Sequence, residues 1–123
     1  MAKKIMIVDD DKGYSALIRY KLENGGYETE VVNFASNVLR LAMDKDYDLI
    51  LLDHQMPDVI GSHICDYFRS EEKLKNLPII VVTGHHELAE EVCKNYGATD
   101  VIYKPLEDTE LFGKIKKYLG DPA

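Results

Sequence analysis

Five short apolar runs alternating with helical patterns predict an α/β domain in which a parallel sheet carries helices on both faces. Two further observations agree. Several of the runs are unbroken rather than alternating, as strands covered on both faces require. Glycine, proline or clustered acids stand at the junctions, where the chain must turn.

The first strand is Ile5-Met6-Ile7-Val8, stopped by Asp9-Asp10-Asp11. Tyr14, Leu17, Ile18 and Leu22 follow at the spacing of one helix face, with Asp11 as N-cap and Gly25-Gly26 as the stop. Tyr27 to Val32 reads as the second strand. Ser36 is expected to cap a helix that carries Val38, Leu41 and Ala42. The third strand, Leu49-Ile50-Leu51-Leu52, runs into Asp53. Beyond Met56-Pro57, Gly61 opens a helix with Ile64, Cys65 and Phe68 inward. Pro78 introduces Ile79-Ile80-Val81-Val82, a strand rich in β-branched residues that ends at Thr83-Gly84. Leu88, Ala89, Val92 and Tyr96 give a further helical face closed by Gly97. Val101-Ile102-Tyr103 is the last strand and Lys104-Pro105 ends it. The final helix presents Leu111, Ile115, Tyr118 and Leu119, and its acidic start and basic end (Lys114 to Lys117) suit the helix dipole. That basic stretch is expected to be a solvated helix end, and Tyr96, Tyr103 and Tyr118 to pack near it.

The 123 residues fit one domain, 1–123, with a hydrophobic content of 46% that suffices for a core. A formal charge of −7 argues against general nucleic-acid binding, which needs a basic surface. No apolar run approaches the ~20 residues that cross a membrane, and the start lacks the pattern of a signal peptide. A cytoplasmic location is expected. Cys65 and Cys93 have no metal-ligand spacing and are expected to be reduced thiols.

Open parallel sheets bind ligands outside the carboxyl ends of their strands. Strand one delivers Asp9, Asp10 and Asp11 there, strand three Asp53, strand four Thr83 and strand five Lys104; strand two offers only Asn33. Crowded carboxylates repel, and a hard divalent cation relieves them. Mg²⁺ takes oxygen ligands and keeps several waters. A carboxylate can also attack phosphorus to give an acyl phosphate, whose oxygens a lysine and a hydroxyl can hold. Each residue alone has a plainer reading: an Asp after a strand is ordinarily a turn or a cap, and Thr83 and Lys104 would be loop residues. Their joint placement on one edge favours a site.

The segments IMIVDDD, YDLILLDHQMPDVIG, LPIIVVTG and GATDVIYKP, in this order and spacing, resemble those of response-regulator receiver domains, the family that includes the single-domain chemotaxis regulators. The resemblance spans Lys4 to about Leu119. It implies a flavodoxin-like fold with strand order 2-1-3-4-5, for which a member of this family is itself a standard example. It implies Asp53 as phosphoacceptor, Asp10 as direct Mg²⁺ ligand, Asp9 acting largely through water, and the Gln55 backbone carbonyl as a further ligand. Thr83 matches the hydroxyl that moves towards the phosphoryl group, Lys104 the lysine that pairs with it, and Pro105 the proline after it, often in a cis peptide. Gln55 and His85 match the positions that border the phosphoryl group, and His85 is expected to make its lifetime pH-sensitive. The family commonly has Tyr or Phe three residues before the lysine; here Val101 stands there.

The resemblance further implies a sensor histidine kinase or histidine phosphotransfer protein as donor, a downstream output domain or target protein, and a phosphorylation-linked homodimer as one possible output. Such a chain assists its own phosphorylation and dephosphorylation without being an enzyme. Two other functions compete. A degenerate receiver would be a phosphate-independent interaction module, which the retained Asp10, Asp53, Thr83 and Lys104 oppose. An aspartyl-phosphate phosphohydrolase would carry a second Asp two residues after the nucleophile, where this chain has Gln55.

Overall fold

A computed structural model describes residues 2–53, 61–84 and 97–121. Its elements are β1 (Lys4–Val8), α1 (Lys12–Asn24), β2 (Glu28–Val32), α2 (Ala35–Asp44), β3 (Leu49–Asp53), α3 (Gly61–Ser70), β4 (Ile79–Thr83), β5 (Asp100–Tyr103) and α4 (Asp108–Leu119). The five strands form one parallel sheet in the order β2-β1-β3-β4-β5. This is the fold class that the alternating pattern predicts. The helical face expected around Leu88 to Tyr96 lies outside the described residues, as does Cys93.

Unbroken apolar strands need cover on both sides, and two clusters supply it. Met6, Val8, Ile50, Leu52, Ile79 and Val81 pack under Val38 and Ala42 of α2 and Ile64, Cys65 and Phe68 of α3. Ile5, Ile7, Leu49, Leu51, Ile80, Val82 and Ile102 pack under Ile18 and Leu22 of α1 and Leu111 and Ile115 of α4. Cys65 is buried in the first cluster. Among the described residues no helix is long and apolar enough to cross a membrane.

Three local expectations change. Leu17 is half exposed, because α1 buries only Ser15, Ile18 and Leu22 and turns Leu17 towards its outer flank. Ser36 lies within α2 rather than before it; Phe34 occupies the cap, where it has no side-chain oxygen to offer. Lys114 is not a solvated helix end. It bonds Asp100 Oδ1 at 3.1 Å and the Val101 carbonyl, while Tyr118 donates to Asp100 Oδ2 at 2.6 Å. That trio fastens α4 to the start of β5.

Arg69, at the end of α3, forms a second fastening. Its guanidinium donates to the carbonyls of Gly97 (2.7 Å), Lys75 (3.0 Å) and Leu77 (2.8 Å), and to Thr99 Oγ1 (3.2 Å). Thr99 Oγ1 in turn accepts from the Ile79 N–H at 3.0 Å. The planar fork satisfies several carbonyls at once, which a lysine could not do.

Candidate phosphoacceptor site

Because all five strands run the same way, their last residues share one edge. Register keeps them level: Val8 pairs with Leu52 and with Val32, Asp53 with Val82, and Thr83 with Tyr103. Asp9, Asp10, Asp53, Thr83 and Lys104 therefore meet at a single place.

Asp9 is the most buried of the three carboxylates, at 3% exposure. Its N–H donates to the Val32 carbonyl at 3.1 Å, and its own carbonyl accepts from Asn33 Nδ2 at 2.7 Å. Its Oδ1 accepts the Asp11 N–H at 2.9 Å. Asp11 caps α1 as expected, Oδ1 accepting from the Tyr14 N–H at 3.0 Å. This chain of local bonds turns the backbone sharply out of β1 and into α1, and so aims two successive carboxylates at the sheet edge. Asn33, the polar residue that follows β2, holds the turn rather than facing a ligand.

Carboxylate oxygens of Asp9, Asp10 and Asp53 all lie within 4.8 Å of one another. Burial pushes the Asp9 carboxyl up to about 6, and the nearby Asp53 charge adds to the rise. The Asp11 N–H and the Lys104 ammonium pull the other way and are outweighed. Such a cluster, all hard oxygen donors and short of positive charge, fits a hydrated divalent cation of the Mg²⁺ type.

Lys104 supplies the one ammonium that faces Asp53 among the described residues, Nζ lying 3.6 Å from Oδ1. Its N–H donates to the Thr83 carbonyl at 2.9 Å, which ties the end of β5 to the end of β4. The Lys104–Pro105 peptide is cis, as expected. Thr83 is buried at the end of β4, between the other two strands. Val101 is buried within β5, paired with Val81. Tyr103, next to Lys104, is partly exposed. Gln55, His85 and Tyr96 lie outside the described residues.

The sequence reading missed Tyr14. Its ring centroid is 5.0 Å from Lys104 Nζ. An aromatic residue in the first turn of the helix that follows the acidic loop was the available signal.

Residues 5–116 match the response regulator receiver domain family. The chain belongs to that family. It is 35% identical over 122 residues to the polar-differentiation response regulator DivK of Brucella abortus, covering 98% of this chain and 99% of that one. It resembles a CheY-like response regulator receiver domain from Methanospirillum hungatei, with a TM-score of 0.88 at 31% identity, covering 97% and 94% of the two chains. It also resembles the receiver domain of the sensor histidine kinase PA1611 from Pseudomonas aeruginosa, with a TM-score of 0.90 at 26% identity, covering 98% and 100%. That structure holds a magnesium ion in its active-site cleft. The present chain is a receiver domain of a two-component response regulator, with the flavodoxin-like strand order.

Proposed function

We propose that Asp53 of this receiver accepts a phosphoryl group from a phosphohistidine on a sensor histidine kinase or histidine phosphotransfer protein. The observation that carries the proposal is the meeting of three carboxylates within 4.8 Å beside the Lys104 ammonium. A carboxylate oxygen of Asp53 attacks phosphorus, an O–P bond forms, and the P–N bond to the donor imidazole breaks. Asp9, Asp10 and Asp53, with the Gln55 backbone carbonyl, would hold Mg²⁺. When bound, that ion offsets the carboxylate charge and draws on the phosphoryl oxygens. Lys104 pairs with another phosphoryl oxygen, and the Thr83 hydroxyl donates to a third.

The acyl phosphate then biases a two-state surface that a target protein, an output domain or a second copy reads. The chain is a cytoplasmic phosphoacceptor that assists its own labelling and hydrolysis, not an enzyme acting on a separate substrate.

Incubation with Mg²⁺ and acetyl phosphate, followed by intact mass, tests the reading. One added phosphoryl group, lost with EDTA and lost in Asp53→Asn, is expected. Labelling that persists in Asp53→Asn would place the acceptor elsewhere.

A further inference from the structure

We infer that Tyr14 is a positioning residue of this site, its ring face holding the Lys104 ammonium towards Asp53. The inference rests on the roles just proposed for Asp53 and Lys104. Lysine carries its charge on a flexible four-carbon stem, so a point of contact is needed to keep it in one place. Among the described residues Lys104 Nζ has two such points: Asp53 Oδ1 at 3.6 Å and the Tyr14 ring at 5.0 Å from its centroid. A cation this close to an aromatic face is attracted by the ring quadrupole.

The ring itself is well anchored. Tyr14 lies in the first turn of α1, its N–H bonded to Asp11 Oδ1, and it packs against the cluster of Ile5, Ile7, Ile18 and Leu22. Its place is thereby set by the same acidic turn that aims Asp9 and Asp10. The hydroxyl does not explain the residue. Tyr14 Oη is buried and makes no hydrogen bond among the described residues. A buried hydroxyl without a partner is unfavourable, and phenylalanine would fill the space without it. What Tyr14 brings to the site is its π-face, which leucine lacks.

The test is the rate of labelling by acetyl phosphate with Mg²⁺ in wild type, Tyr14→Leu, Tyr14→Phe and Lys104→Ala, with each Tyr14 change also placed in the Lys104→Ala background. Tyr14→Leu is expected to slow labelling roughly three- to tenfold, and Tyr14→Phe to recover it. Neither change should matter once Lys104 is removed, because the coupling runs through that ammonium. A loss of equal size in both backgrounds, or none in Tyr14→Leu, overturns the inference. The NMR shift of the Lys104 ε-methylene group reads the contact without phosphorylation and without the leucine variant. An upfield ring-current shift in the wild type supports the inference, and its absence overturns it. A wild type that takes no label overturns the proposed role of Asp53 and this inference with it, and is told apart because no Tyr14 variant is involved.

Discussion

Lys104 reaches Asp53 across the width of an intervening strand. Asp53 ends β3 and Lys104 directly follows β5, β4 lies between the two strands, and Nζ still stands 3.6 Å from Oδ1. Thr83, the buried end of β4, holds the Lys104 N–H with its carbonyl. On the proposed role of Asp53, the ammonium stands where charge would build up on a transferring phosphoryl group.

Removing it separates two functions of the site. Lys104→Ala is expected to lower the rate of labelling by acetyl phosphate by about 10²-fold, the usual cost of losing one preorganised electrostatic partner. Mg²⁺ affinity, read by titration calorimetry, should hold or rise, because a repelling positive charge has gone. Loss of metal binding in this variant would contradict the assignment.

Asp9 makes the metal-free protein sensitive to pH. Its carboxyl titrates near 6 in the folded chain, against an ordinary value of 3.8. The folded state therefore binds this proton more readily than the unfolded one. The stabilisation linked to Asp9 is fully present below about pH 4 and lost as pH rises through about 6, amounting to at most about 3 kcal/mol. Asp9→Asn keeps an acceptor for the Asp11 N–H and removes the charge. Its Tm should exceed that of the wild type by several degrees at pH 7 and by little at pH 4, measured in EDTA. A difference independent of pH would refute titration of the buried Asp9 carboxyl as its cause.

At the proposed Mg²⁺ site the same proton would compete with the metal. Mg²⁺ affinity of the wild type is expected to fall as pH drops below about 6, steeply enough to be seen between pH 7 and pH 5 by calorimetry.

Arg69 should matter for stability rather than for labelling. Arg69→Ala strips partners from several carbonyls, and the expected loss is about 2–4 kcal/mol by denaturant titration. Gly97 belongs to the same fastening. Its φ is +87°, and a Cβ there would meet Arg69 Cγ at 2.8 Å. Gly97→Ala should cost about 1–3 kcal/mol, and less in an Arg69→Ala background, where only the backbone strain remains. Equal costs in both backgrounds would show that the close approach carries nothing.

Much of this was legible in the chain. Leu49 to Leu52 ends directly in Asp53, so one strand both reports its burial and delivers its carboxylate to the edge. Asp11 announced the cap that it makes. What the sequence concealed depends on distant pairings. Arg69 reads as an ordinary exposed helix residue until α3 is laid beside Gly97 and Thr99, 28 and 30 residues on. Lys114 looks like one of several surface lysines until β5 brings Asp100 within 3.1 Å. Tyr14 carries a helix-face pattern that a core alone would explain; only the position of Lys104, far along the chain, gives its ring a second contact. Ser36 was misplaced because helix starts are set by where the backbone leaves the strand, one or two residues either way.

The phosphoryl group is expected to land on Asp53. An acyl phosphate, unlike a phosphate ester on Ser or Thr, is reduced by borohydride, which converts the acceptor aspartate to homoserine. Treatment of the labelled protein with borohydride and peptide mapping by tandem mass spectrometry reads the position directly. Homoserine at position 53, dependent on prior labelling and on Mg²⁺, is the predicted result. Homoserine at Asp9 or Asp10, or a label that resists borohydride, would contradict it.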